Sequence, residues 1–395
     1  MQRFSPRAAC AILVSLLGAC ALASQANAGV LGKHVDVLHK FAGGVDDGAR
    51  PMGALIEGPD GMFYGTTKFG GPANLGTVFR IAPDGSTTLL YDFHDRSVGA
   101  YPMAGLYRDA KGNLFGTSSG DASNGSVFEI PADGSGARAL HVFSNGDPAG
   151  FAPVSQLVGD AQGNLYGTTL YGGGGGGAVF KLMPDGTIEV LHQFGQSQDD
   201  GATPAGGLIM DAHGNLYGTT FSSVSSPNFG TVYRIGHNGS YAILHNFSAL
   251  DSTFEPWGGL ARDAHGNLFG TTIAGGDDGM GAVFRLAPDG TLTVLHSFTG
   301  ATYGDGADAV SSPVLDSRGN LVVAASDGGF VGCGTVVEVH KDGTSRTLHH
   351  FGIHARGGCQ PYGGVMLGSD GAIYGTTQQG NSRNTQDGTV YRLEH

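Results

Sequence analysis

Three short strings recur seven times along this chain, and that repetition restricts the fold more than any other feature. The first, GNLYGTT and close variants, puts its second Gly at Gly65, Gly116, Gly167, Gly218, Gly270 and Gly375. An altered seventh copy reads Gly319-Asn320-Leu321-Val322-Val323. The second, G-[TAS]-V-[FY]-[RKE], begins at Gly76, Gly125, Gly177, Gly230, Gly281, Gly334 and Gly388, with Val337 at the aromatic place of one copy. The third, roughly V-L-H-x-F, ends at Phe41, Phe93, Phe143, Phe194, Phe247, Phe298 and Phe351. Repeats of 51 to 52 residues fill the chain from residue 29 to 395 and leave no room for a separate catalytic domain.

Each unit reads as four short strands. In the copy around Gly218, strands are expected at 207–210, 216–220, 231–235 and 241–247. Tight turns rich in Asp, Asn and Gly separate the first pair and the last pair. No segment of helical length shows apolar residues at i, i+3, i+4 and i+7. Seven four-stranded units of this size predict an all-β chain, a closed seven-bladed β-propeller. The repeats begin on a fourth strand, near 35–41, and end on a third, near 388–393. The N-terminal strand is therefore expected to complete the last blade and so remove the exposed edges.

Composition sets further bounds. There are 71 Gly but only 16 Pro among 395 residues, with no three-residue period, which excludes collagen. Charged residues are 14% and the net charge is -13, a poor match for nucleic acid or an anionic membrane. Residues 1–28 read as a signal peptide: Arg3 and Arg7, an apolar run over 8–19, then Ala26-Asn27-Ala28 as a cleavage site. Leu17-Gly18-Ala19-Cys20 offers an alternative, a lipobox with Cys20 as the lipidated residue. No later run is long enough for a transmembrane helix. Either route predicts a secreted, periplasmic or cell-surface protein. Cys333 and Cys359 then remain as a pair in an oxidising compartment, and a disulfide between them is expected.

The three strings, in this order and at this period, resemble the GloVer repeat of secreted, choice-of-anchor bacterial proteins. The resemblance covers the whole mature chain. It implies an extracytoplasmic propeller and brings no catalytic residues with it.

The chemistry-bearing residues each have a structural reading as well. The repeated His39, His141, His192, His245, His296 and His349 sit one per blade, too far apart to share an ion, and are expected to bond within or between blades. Asp46, Asp47, Asp199 and Asp200 lie in links from a fourth strand to the next first strand. They read as turn residues, with calcium as the alternative; no other cofactor is indicated. Because strands alternate in direction, second-to-third and fourth-to-first links share one face. Those links vary in length and content, whereas the turns of the other face are nearly uniform, so binding is expected on the variable face. There, the residues that follow the Pro before each first strand should ring the channel mouth. Trp257 and Tyr362 are the leading ligand-binding candidates, with Met52 and Met103 beside them. The expected function is a binding module for a surface glycan or protein; a passive spacer and a propeller lyase or glycan hydrolase are the alternatives.

Overall fold

The computed structural model describes residues 34–120, 125–172, 174–224, 229–300, 304–352, 357–380 and 387–395. Residues 1–33, with Cys20, lie outside them. Seven four-stranded antiparallel sheets follow one another along the chain, and no helix occurs among the described residues. Blade one consists of Ile56–Glu57, Phe63–Thr67, Thr77–Ile81 and Thr87–Asp92. The innermost strands are shorter than expected, Ile209–Met210 in blade four, because Gly206 and Gly207 line the central cavity instead of extending the ladder. Blade seven is built from both ends of the chain. Val35–Lys40 pairs with Thr389–Leu393, from Val35 opposite Leu393 to Lys40 opposite Thr389. The ring is a closed seven-bladed propeller, and each hydrophobic cluster spans two neighbouring blades. Tyr217, Val232 and Phe247 of blade four, for example, pack on Leu260, Leu268 and Phe284 of blade five.

The strings have distinct physical jobs. The second Gly of GNLYGTT pairs in register with the third-strand aromatic, as Gly218 does with Tyr233. A Cβ on Gly218 would meet the Tyr233 hydroxyl at 2.5 Å, and one on Gly167 would meet Phe180 at 2.7 Å, so the ring requires a glycine beneath it. Blade six replaces both partners at once: Val323 lies opposite Val337, both fully buried. The altered copy is thus a volume exchange, two medium side chains for one small and one large.

The first Thr of the string joins blade to blade. Its hydroxyl donates to a carbonyl at the start of the next blade: Thr66 to Ala104 (2.8 Å), Thr117 to Ser155 (3.0 Å), Thr168 to Pro204 (3.0 Å), Thr219 to Gly258 (2.8 Å) and Thr271 to Ser311 (2.8 Å). Thr376 closes the circle on Gly53 at 3.2 Å. Only blade six lacks this donor, because Ala324 stands in the Thr place. In V-L-H-x-F the Leu is a bulged residue in all seven blades, as at Leu191 between the pairs Val179–His192 and Phe180–Val190. The bulge re-aims the following His, which then packs edge-on against the Phe two residues later, with ring centroids 4.8 Å apart for His192 and Phe194.

Candidate functional site

The links on the variable face are more ordered than sequence alone suggests. Three pairs form two-residue strands: Gly48–Ala49 with Phe69–Gly70, Gly201–Ala202 with Ser222–Ser223, and Thr253–Phe254 with Ala274–Gly275. This pairing confirms that both kinds of link share one face. Two-residue strands carry no periodicity, so they leave no trace in the sequence.

Immediately before each first-strand segment the backbone turns left-handed. Seven of the eight described non-Gly residues with positive φ occupy this one place, one per blade: Arg50, Tyr101, Ala152, Thr203, Glu255, Asp308 and Gln360, at φ 53–61°. Such residues are costly, on the order of 1–3 kcal/mol each, and persist only where the surroundings fix them. Here bonds to both neighbours do so. The Thr203 amide donates to Gly176 O of the preceding blade at 2.7 Å, and the Thr203 carbonyl accepts from the Phe221 amide at 3.0 Å. Arg50, Tyr101, Asp308 and Gln360 likewise donate to the preceding blade. The sharp turn delivers the residue two positions on to the channel.

Those residues are Met52, Met103, Val154, Ala205, Trp257, Val310 and Tyr362, and all seven line one central cavity of about 670 Å³. Below them the wall mixes small residues such as Gly53, Gly206, Gly258 and Gly363 with Leu, Ile and Val, and Ser155, Gln156, Ser311 and Ser312 are its polar side chains. No Asp, Glu, His, Lys or Arg is among the residues lining it. Trp257 and Tyr362 are half-buried rather than fully exposed. The Phe221 ring braces Trp257 edge-on at 5.1 Å. Burial, reinforced by the negative charge of Asp308, pushes the Tyr362 hydroxyl up, so it stays a neutral donor at physiological pH. Met103 is half-buried beside the mouth, and Met52 is buried, with the Gln378 amide 3.9 Å from its sulfur.

The acids divide differently from the way their sequence pairing suggests. Asp47 and Asp200 turn inward, whereas Asp46 and Asp199 are exposed. Asp47 faces His39 at 3.2 Å and accepts the Ala42 and Gly48 amides at 2.8 Å. Asp200 faces His192 at 3.2 Å and accepts the Tyr241 hydroxyl and the Gly201 amide, each at 2.9 Å. Burial opposes ionisation of both, yet the His bonds and the amides leave both carboxyls below their ordinary value. Asp147, Asp251 and Asp305 meet His141, His245 and His296 in the same way, at 2.8, 3.4 and 3.1 Å. In these five blades the repeated His is therefore a latch for the link that follows it, whereas the link after His349 contains no Asp. In blade one both partners change together: Tyr91 stands in the His place and Val98 in the Asp place. Sequence reasoning missed the pairing because the spacing drifts, from six residues at His141–Asp147 to nine at His296–Asp305.

Cys333 and Cys359 form a disulfide, with Cα atoms 4.6 Å apart. Cys333 belongs to the second-to-third link of blade six, and Cys359 bridges to Gln379 of blade seven. The bond thus ties the two blades whose seam lacks the Thr hydroxyl.

The fold is shared with a solved structure. The extracellular domain of a candidate one-component system from B. thetaiotaomicron aligns at a TM-score of 0.57 and 12% identity over 90% of this chain. The present chain spans 40% of that structure's length. A candidate 6-phosphogluconolactonase from Bacteroides uniformis aligns at a TM-score of 0.47 and 17% identity, over 75% of this chain and 83% of its own. No curated protein matches the sequence. A family model matches twice, over residues 27–228 and 208–395, and together the two matches cover every blade. The chain belongs to the Gloeobacter/Verrucomicrobia repeat family.

Proposed function

We propose that this protein is an extracytoplasmic binding module that takes a glycan at the mouth of its central cavity. One observation carries the reading: the cavity presents Trp257 and Tyr362 from blades five and seven while holding no acid, base or cation along its wall. Aromatic faces stack on sugar rings, and a neutral Tyr hydroxyl with Gln156 and Ser312 supplies hydrogen bonds. Acid–base catalysis needs a titratable group within reach of the substrate, and the wall offers only the Tyr362 hydroxyl. The volume suits a ligand of a few sugar units. The disulfide supports an oxidising destination, secreted, periplasmic or at the cell surface, with Cys20 as the lipid attachment point if the leader is processed that way.

A glycan array probed with the mature protein tests this reading. Trp257→Ala and Tyr362→Ala should each weaken the best binder roughly tenfold or more, as anchor residues in a desolvated pocket do. If both variants bind as tightly as the parent, the cavity is not the site.

A further inference from the structure

Outside the cavity, one sector of the variable face differs from the rest. Among the described residues, Leu250 (97% exposed), Met280, Phe330 and Val331 are four of the nine exposed large apolar side chains, and with Val224 they lie in the links of blades four to six. Two of them are held in place. Met280 rests against Gly300 and Phe330 against Gly304, two positions in the same fourth-to-first link. Phe330 also stacks on His350 with centroids 4.1 Å apart. The described residues of the links entering and crossing blades five and six contain seven acidic side chains and no Lys or Arg. Two of the seven face His245 and His296, and Asp277 and Asp278 are exposed beside Met280. Burial lowers the His350 imidazole, so it adds no positive charge at neutral pH. Among the described residues, the cations in the links of this face, Arg50, Lys68 and Arg96, stand at blades one and two, across the ring.

We infer that the sector formed by Leu250, Met280, Phe330 and Val331, with Asp277 and Asp278 beside Met280, docks a cationic, amphipathic segment of a partner protein. Charge complementarity selects the occupant. An apolar patch whose described flanking charges are carboxylates repels an acidic partner, and two copies of it repel each other, which disfavours self-association through this face. A segment alternating Lys or Arg with large apolar residues satisfies both features. This surface is separate from the cavity and does not depend on what the cavity holds.

The probe is a fluorescein-labelled synthetic peptide of alternating Lys and Leu, read by anisotropy against the mature protein at low and at physiological salt. Binding should weaken with salt, and a Glu–Leu peptide should not bind. Asp277→Lys with Asp278→Lys should weaken the Lys–Leu peptide roughly tenfold, and Phe330→Ala with Met280→Ala roughly fivefold. Trp257→Ala should leave it within about twofold, which separates this surface from the cavity. The control is Asp84→Lys with Asp289→Lys, the same charge change on exposed turns of the opposite face. If that control weakens binding as much, the peptide reads net charge alone and the proposal falls. Equal binding of the Glu–Leu peptide overturns it too. Matched melting temperatures establish folding, and should the Lys pair unfold the protein, Asp277→Asn with Asp278→Asn should still give roughly a threefold loss.

Discussion

Asp211 shows how a turn residue becomes a condition on stability. It opens the turn between the first and second strands of blade four. Burial raises its pKa, but the Asn215 side chain and amide, the His213 amide and the Tyr217 hydroxyl outweigh that and hold the carboxyl down at about 2. Asp160, Asp263 and Asp316 occupy the same place in other blades, Asp60 and Asp370 stand two residues later in theirs, and all five are lowered for the same kind of reason. A carboxyl whose folded value lies below its unfolded value stabilises the fold above that unfolded value. The contribution is lost as pH falls through the folded one. Six such groups predict stability that is level from neutral pH down to about 4 and then falls steeply toward about 2. Urea midpoints measured from pH 7 to 2 check this, and Asp211→Ala should flatten part of the slope. A midpoint that does not move below pH 4 would contradict the assignment.

Among the elements, the second and third strands were fully legible before any coordinates. Leu216–Thr220 and Thr231–Ile235 fall at the expected bounds because each carries a repeated string with alternating apolar residues. The face on which the links gather and the positions that ring the channel were legible too, since strand direction and the Pro before each first strand determine them. The inter-blade Thr bonds and the His–Asp latches were not legible. Each joins residues through side-chain geometry that a single sequence does not encode, and the Thr partners lie 36 to 40 residues away even between adjacent blades. The Gly–aromatic pair makes a further prediction at this scale. Gly116→Val drives a side chain into Phe128 and should destabilise by about 1–3 kcal/mol. Phe128→Val leaves a void and should cost about 2–3 kcal/mol. The double variant copies blade six and should cost less than the sum by about 1 kcal/mol or more, measured as a double-mutant cycle in urea. Strict additivity would mean that the volume exchange in blade six is coincidence.

At the scale of the ring, seven seams hold the molecule closed, and the seam between blades six and seven is built differently. It gives up the Thr hydroxyl and gains Cys333–Cys359, a link across 26 residues that is worth about 3 kcal/mol on the chain-entropy model. Reduction, or Cys333→Ser with Cys359→Ser, should lower the melting temperature, and amide exchange should rise first in Ile373–Thr377 rather than in the equivalent strand of another blade. Uniform exchange across the blades would show that the seam is no weaker than its neighbours. Closure through the first strand also has a consequence for how the molecule is made. Val35–Lys40 needs Thr389–Leu393 as its partner, so it leaves the ribosome about 350 residues ahead of it. At ~5–20 residues per second that is a delay on the order of tens of seconds. The first strand must therefore remain unpaired while six blades assemble behind it, and the ring closes only when Thr389–Leu393 arrives.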